Sequence, residues 1–213
     1  VKPTVVLDRA NVPGGELTLS RRGDELSIRV RGVDLMSSRN HESEDELGRL
    51  TAGLANNGLI LVGGLGLGFT LRALLDHSAS KIDVAELVPA VVQWNRTHAA
   101  ALNGNAVADP RVTVIEGDVA RVIADANAKY AAIALDVDNG PDELFDSNKH
   151  LYARKGLAAA KRALVPGGGL AVWSSFDSNT FTAHLRSVGF AVEVRRIKAR
   201  GARHVIWLAR SQP

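Results

Sequence analysis

Two aspartates one residue apart, Asp136 and Asp138, follow the apolar run Ala131 to Leu135 and precede Asn139-Gly140-Pro141. Carboxylates at the end of a buried strand can bind a cationic amine, and a desolvated one can accept a proton from it. The same residue types also build ordinary turns, so Asp138 reads equally well as turn-forming, whereas Asp136, at the strand edge itself, reads as catalytic. Gly63, Gly64, Gly66 and Gly68 interrupt the sequence LILVGGLGLGFTLR where a strand would pass into a helix. Such a turn lets backbone approach a ligand and presents free N–H donors at the helix start, although glycines there also permit close packing. Glu86 ends the next apolar run, 22 residues beyond Gly64, about where a Rossmann-like site has the acid that accepts ribose hydroxyls. Asp118 ends the run after that, in position to contact an adenine, to cap the helix starting at Val119, or both. A glycine turn and acids at successive strand ends predict a nucleoside site: the four glycines, Glu86 and Asp118 binding, Asp136 and Asp138 catalytic.

The elements that would position these residues follow from periodicity. Short apolar runs (LILVG, KIDVAEL, RVTVIEG, YAAIALD, GLAVWSS) alternate with helical stretches (FTLRALLDH, AVVQWNRTHAAAL, ARVIADAN, KGLAAAKRAL) between Leu59 and Trp173. This alternation predicts an α/β fold, a doubly wound, mostly parallel sheet covered by helices on both faces. Ala191 to Ile197 and His204 to Ala209, joined by a basic loop containing Gly201, predict a closing antiparallel hairpin. A sheet that ends this way points toward the Rossmann-like fold of the S-adenosylmethionine methyltransferase type. Upstream, Glu16 to Leu19 and Glu25 to Val30 alternate around Arg22-Gly23-Asp24 and predict a hairpin. Ser43 and Glu46 form a capping-box pattern before Leu47, Leu50 and Leu54, so a helix should run from there to about Asn56. The expected organisation is a small β-rich extension over residues 1–42 and a Rossmann-like nucleoside-binding domain over 43–213.

Composition narrows the function classes. The 213 residues are 46% hydrophobic and 23% charged, enough for one sizeable core, and no apolar run approaches the ~20 residues that cross a bilayer. The N-terminus lacks the regions of a signal peptide, so a cytoplasmic location is expected. Cys is absent and the six histidines are scattered, which predicts no metal site. The basic stretch Arg195 to Arg203 reads as a solvated hairpin tip, because 5% aromatics leave little for base stacking; no nucleic-acid partner is expected.

Across Leu59 to Ser175 the sequence resembles the spermidine synthase family, the polyamine aminopropyltransferases. The similar segments are the glycine turn with Thr70-Leu71-Arg72, Glu86 with Pro89, Asp109-Pro110-Arg111-Val112 leading to Gly117-Asp118, Asp136 with Gly140-Pro141 and Leu144-Phe145, Leu151-Tyr152, and Leu164-Val165-Pro166-Gly167-Gly168. Leu67 stands where the family's glycine loop carries an acid that binds the cofactor's amine, and Val88 where it has the Asp of Glu-x-Asp. The resemblance implies decarboxylated S-adenosylmethionine as cofactor, an amine or polyamine substrate, and a homodimer formed through the N-terminal β-rich part. It further implies that Glu86 holds the ribose, Asp118 the adenine amino group, and that Asp136 deprotonates the attacking amine. The apolar Leu67 keeps open a methyltransferase using intact S-adenosylmethionine, and a nucleoside-binding protein without turnover is a third reading. His41 reads as a surface or turn histidine.

Overall fold

The computed structural model describes residues 2–12, 15–137, 149–199 and 202–211. Asp138, the Gly140-Pro141 and Leu144-Phe145 pairs and Gly201 lie outside the described residues.

The chain opens with four strands, β1 (Thr4–Val12), β2 (Gly15–Arg22), β3 (Glu25–Val30) and β4 (Val33–Ser37), in an antiparallel sheet of that order. The expected hairpin is β2–β3, closed by the Arg22–Glu25 pair around Gly23. Helix α1 (Glu42–Ala55) follows. Its limits are close to those expected, but its start is not the Ser43–Glu46 capping box. His41 is the N-cap residue, Ser43 lies inside the first turn with its hydroxyl on Glu44, and Glu46 pairs with Arg49. The box fails because the helix begins two residues earlier, with His41 rather than Ser43 as N-cap, which places Ser43 within the first turn.

The remaining elements alternate as the periodicity predicts: β5 (Ile60–Gly63), α2 (Phe69–His77), β6 (Ile82–Glu86), α3 (Pro89–Arg96), β7 (Val112–Glu116), α4 (Val119–Ala124) and β8 (Tyr130–Leu135). Then come α5 (Lys149–Tyr152), α6 (Arg154–Ala163), β9 (Leu164–Ser174), α7 (Asn179–Ser187), β10 (Phe190–Ala199) and β11 (Ala202–Ser211). The helical reading of AVVQWNRTHAAAL holds only to Arg96, after which the chain runs through turns. Seven strands form one sheet in the order β10-β11-β9-β8-β5-β6-β7, and β5 pairs in parallel with both β6 and β8. That reversal of strand order at β5 is the switch point beside which open α/β sheets bind ligands. The hairpin β10–β11 closes the sheet antiparallel, as expected.

Successive strand residues serve opposite faces. Ile60, Val62, Ala171 and Ile206 pack with Leu47 and Leu54 of α1 and with Leu71 and Leu74 of α2. Leu61, Ile133, Leu170 and Trp207 pack with Leu157 of α6 and with Phe181 and Leu185 of α7. Leu17, Leu19, Leu26, Ile28 and Val30 of the N-terminal sheet belong to the first of these cores. The antiparallel sheet therefore shares the α1 side of the molecule and stands over the strand ends where the sequence expects its site.

Candidate functional site

Gly63 pairs with Leu135 and Ala85, so the C-terminal ends of β5, β6 and β8 finish level with one another and bring Gly64, Glu86 and Asp136 together. Gly64 adopts φ 86°, and a Cβ there would stand 2.2 Å from the carbonyl oxygen of Asp136. Only glycine allows the two strand ends to approach this closely. Buried amides hold the rest of the turn: Asn95 donates to the Gly66 carbonyl at 2.8 Å and Asn103 to the Leu67 carbonyl at 2.9 Å. With its carbonyls drawn back, the loop turns Leu67 into the core, fully buried.

The cavity above these ends measures about 250 Å³ and is lined by Gly64, Gly66, Glu86, Asp118 and Asp136. Gly63 and Gly68 do not line it and have packing roles. A Cβ on Gly63 would strike Val119, and one on Gly68 would strike the Asn95 and Asn103 side chains.

Each acid has its own environment. Glu86 is buried, and its two carboxylate oxygens accept the N–H groups of Leu65 and Val88 at 2.9 and 2.8 Å. Burial raises its pKa above the ordinary carboxylate range, and those backbone donors oppose the rise. Asp118 caps α4 by accepting the Ala120 N–H at 2.8 Å, as the sequence allows, and it also lines the cavity. Asp136 accepts the Thr70 hydroxyl at 2.7 Å, and desolvation pushes its pKa up to about 6.

Glu44, Met36 and Trp173 are among the cavity residues that escaped the sequence reading. Glu44 of α1 is buried beside Asp136; desolvation first and the Asp136 charge second raise its pKa to about 7. The available signal was its phase: Glu44, Leu47, Thr51 and Leu54 share the buried stripe of α1. Met36 of β4 accepts the Leu67 N–H through its sulfur at 3.0 Å. Trp173, at the end of β9, is stacked by His204 with ring centroids 5.1 Å apart. Leu17, Ile28, Val30 and Leu35 complete an apolar wall from the N-terminal sheet. His41 is not in the cavity lining; it stacks on Phe69 at 4.2 Å and bonds Asp45. Of the basic hairpin, Arg195 pairs with Glu193 and Arg196 with Asp177.

Strand order, closing hairpin and a cavity at the β5 switch point define an α/β protein of the S-adenosylmethionine methyltransferase fold. The spermidine synthase of Thermotoga maritima superposes with a TM-score of 0.79 at 17% identity, covering 96% of this chain and 72% of that one. The profile of the spermine/spermidine synthase domain matches residues 45–187, and the chain belongs to that family. A polyamine aminopropyltransferase of Mycobacterium tuberculosis is 30% identical over 189 residues, 83% of this chain and 35% of that protein. A putrescine N-methyltransferase of Nicotiana attenuata is 38% identical over 114 residues, 52% of this chain and 29% of that protein. The chain spans about a third of the length of these curated relatives.

Proposed function

We propose that this chain carries a transferase site that moves the aminopropyl group of decarboxylated S-adenosylmethionine to an amine or polyamine. One observation carries the reading: Asp136 faces the same cavity as Glu86 and Asp118, and among the described residues no Lys or Arg pairs with it. A part-buried, desolvated carboxylate without a cationic partner is costly unless a cation arrives with the substrate.

The residues fit such a donor. Glu86 keeps acceptor capacity on both oxygens beyond its two backbone bonds, enough for ribose hydroxyls, and Asp118 offers its second oxygen to an adenine amino group. The apolar wall excludes water from the chain of the donor. The donor supplies an electrophilic carbon beside a cationic sulfur: the acceptor nitrogen's lone pair forms the C–N bond as the C–S pair withdraws onto sulfur, leaving a neutral thioether nucleoside. Asp136, fixed by Thr70, orients the acceptor nitrogen and takes its proton. Asp138, two residues on, is proposed as a second acceptor-binding carboxylate. Positioning and charge placement supply most of the acceleration, since the displacement needs no covalent help from the protein.

A methyltransferase on the same scaffold is the second reading, favoured by the Nicotiana relative and by the apolar Leu67. Incubation with each donor and a panel of diamines and polyamines decides between them. Release of methylthioadenosine from the decarboxylated donor is expected. Formation of S-adenosylhomocysteine from the intact donor, with no methylthioadenosine from the other, would overturn the aminopropyl reading.

A further inference from the structure

The cavity holds one acid more than a nucleoside site and a single base require. Glu44 enters it from α1, outside the strand ends that carry the other acids, and its helix is joined to Asp136 through Thr70. The Thr70 hydroxyl oxygen lies 2.7 Å from Asp136 Oδ2 and 3.4 Å from the main-chain oxygen of Glu44. The charges that act on Glu44 are those of Asp136 and Asp45, both acids, and Asp45 is itself taken by Arg72. No Lys or Arg pairs with Glu44 among the described residues, and its carboxylate receives the Ser43 hydroxyl. Trp173, 93% buried, lines the same cavity at the end of β9, where the neighbouring Val172 pairs with Leu135 just before Asp136. His204 behind it is kept neutral by burial, which lowers its pKa, so it adds no positive charge. The surroundings of Glu44 and Asp136 are therefore acidic and, among the described residues, uncompensated by Lys or Arg, which favours a cation.

Two carboxylates allow two tasks. The attacking nitrogen must lose its proton, which needs a base, whereas the terminal ammonium of an aminopropyl donor stays charged throughout and needs a lasting counter-ion. We propose that Glu44 is the donor's counter-ion: it binds the terminal ammonium of decarboxylated S-adenosylmethionine and, beside Asp136, disfavours a donor that carries a carboxylate. In this way α1 provides the negative charge that the glycine loop lacks at the buried Leu67. The inference rests on the reading of the cavity as a donor and acceptor site.

Calorimetric titration of the full chain with decarboxylated S-adenosylmethionine, intact S-adenosylmethionine and methylthioadenosine tests it. The wild type should prefer the decarboxylated donor to the intact one by at least tenfold, about 1.4 kcal/mol. Glu44→Gln should cut affinity for the decarboxylated donor about tenfold and erase the preference, while methylthioadenosine, which lacks the ammonium, binds within twofold of wild type. Glu44→Asp, which keeps the charge, should retain part of the preference, and it decides the matter if the Gln variant does not fold. Equal loss for all three ligands, an unchanged preference in Glu44→Gln, or no preference in the wild type would each overturn the assignment. Failure of transfer with every amine while the preference persists would instead sink the proposed activity and leave the role of Glu44 standing.

Discussion

Replacing Asp136 by Asn should stabilise the protein above neutral pH and abolish transfer. Desolvation moves the Asp136 pKa from 3.8 to about 6. The folded state therefore holds more protons than the unfolded chain between these values, and stability falls as pH rises through that window. Above it the full penalty is present. A rise of about two pKa units corresponds to about 3 kcal/mol, an upper bound because the cavity mouth admits water. Asn keeps an oxygen to accept the Thr70 hydroxyl, and loss of the neighbouring charge also relieves Glu44, whose pKa Asp136 helps to raise. A net gain of about 1–3 kcal/mol at pH 8, fading towards pH 4, where Asp136 is protonated in the folded state and the pH approaches its unfolded value of 3.8, is the expected result. Urea unfolding at pH 8, 6 and 4 reads it, with thioether nucleoside release measured in parallel and expected to fall at least a hundredfold. Destabilisation of similar size at every pH would refute the electrostatic reasoning. Unchanged release would refute the role of Asp136 as the base.

Gly64→Ala meets the Asp136 carbonyl at 2.2 Å and a backbone φ of 86°, so it should cost at least about 2 kcal/mol in urea unfolding and weaken methylthioadenosine binding with it. Leu19→Ala empties a fully buried position in the core that the N-terminal sheet shares with α1 and α2, at an expected cost of about 2–5 kcal/mol. Because that core is shared, fluorescence and circular dichroism should report one displaced transition; two separate ones would show that the sheet unfolds by itself.

The sequence by itself determined the alternation of strands and helices, the closing hairpin and the acids at the strand ends. Those signals are local: a period of two or 3.6 residues and the residue type at the end of an apolar run depend on neighbours in the chain. They suffice to predict that Glu86, Asp118 and Asp136 share one edge, since parallel strands of equal length end level. Tertiary structure decided which groups complete the cavity. Gly63 and Gly68 look like Gly64 and Gly66 in sequence, yet the first pair meets Val119, Asn95 and Asn103, and only the second meets the cavity. Leu67, which stands where the resembling family's glycine loop carries an acid, is turned into the core, where Asn95 and Asn103 hold the Gly66 and Leu67 carbonyls. Glu44 reads as an ordinary acid in a first helical turn until packing aims its face of α1 at the strand ends. Met36, Trp173 and the wall of the N-terminal sheet come from opposite ends of the chain. Their convergence is a property of long-range packing, which no local periodicity encodes.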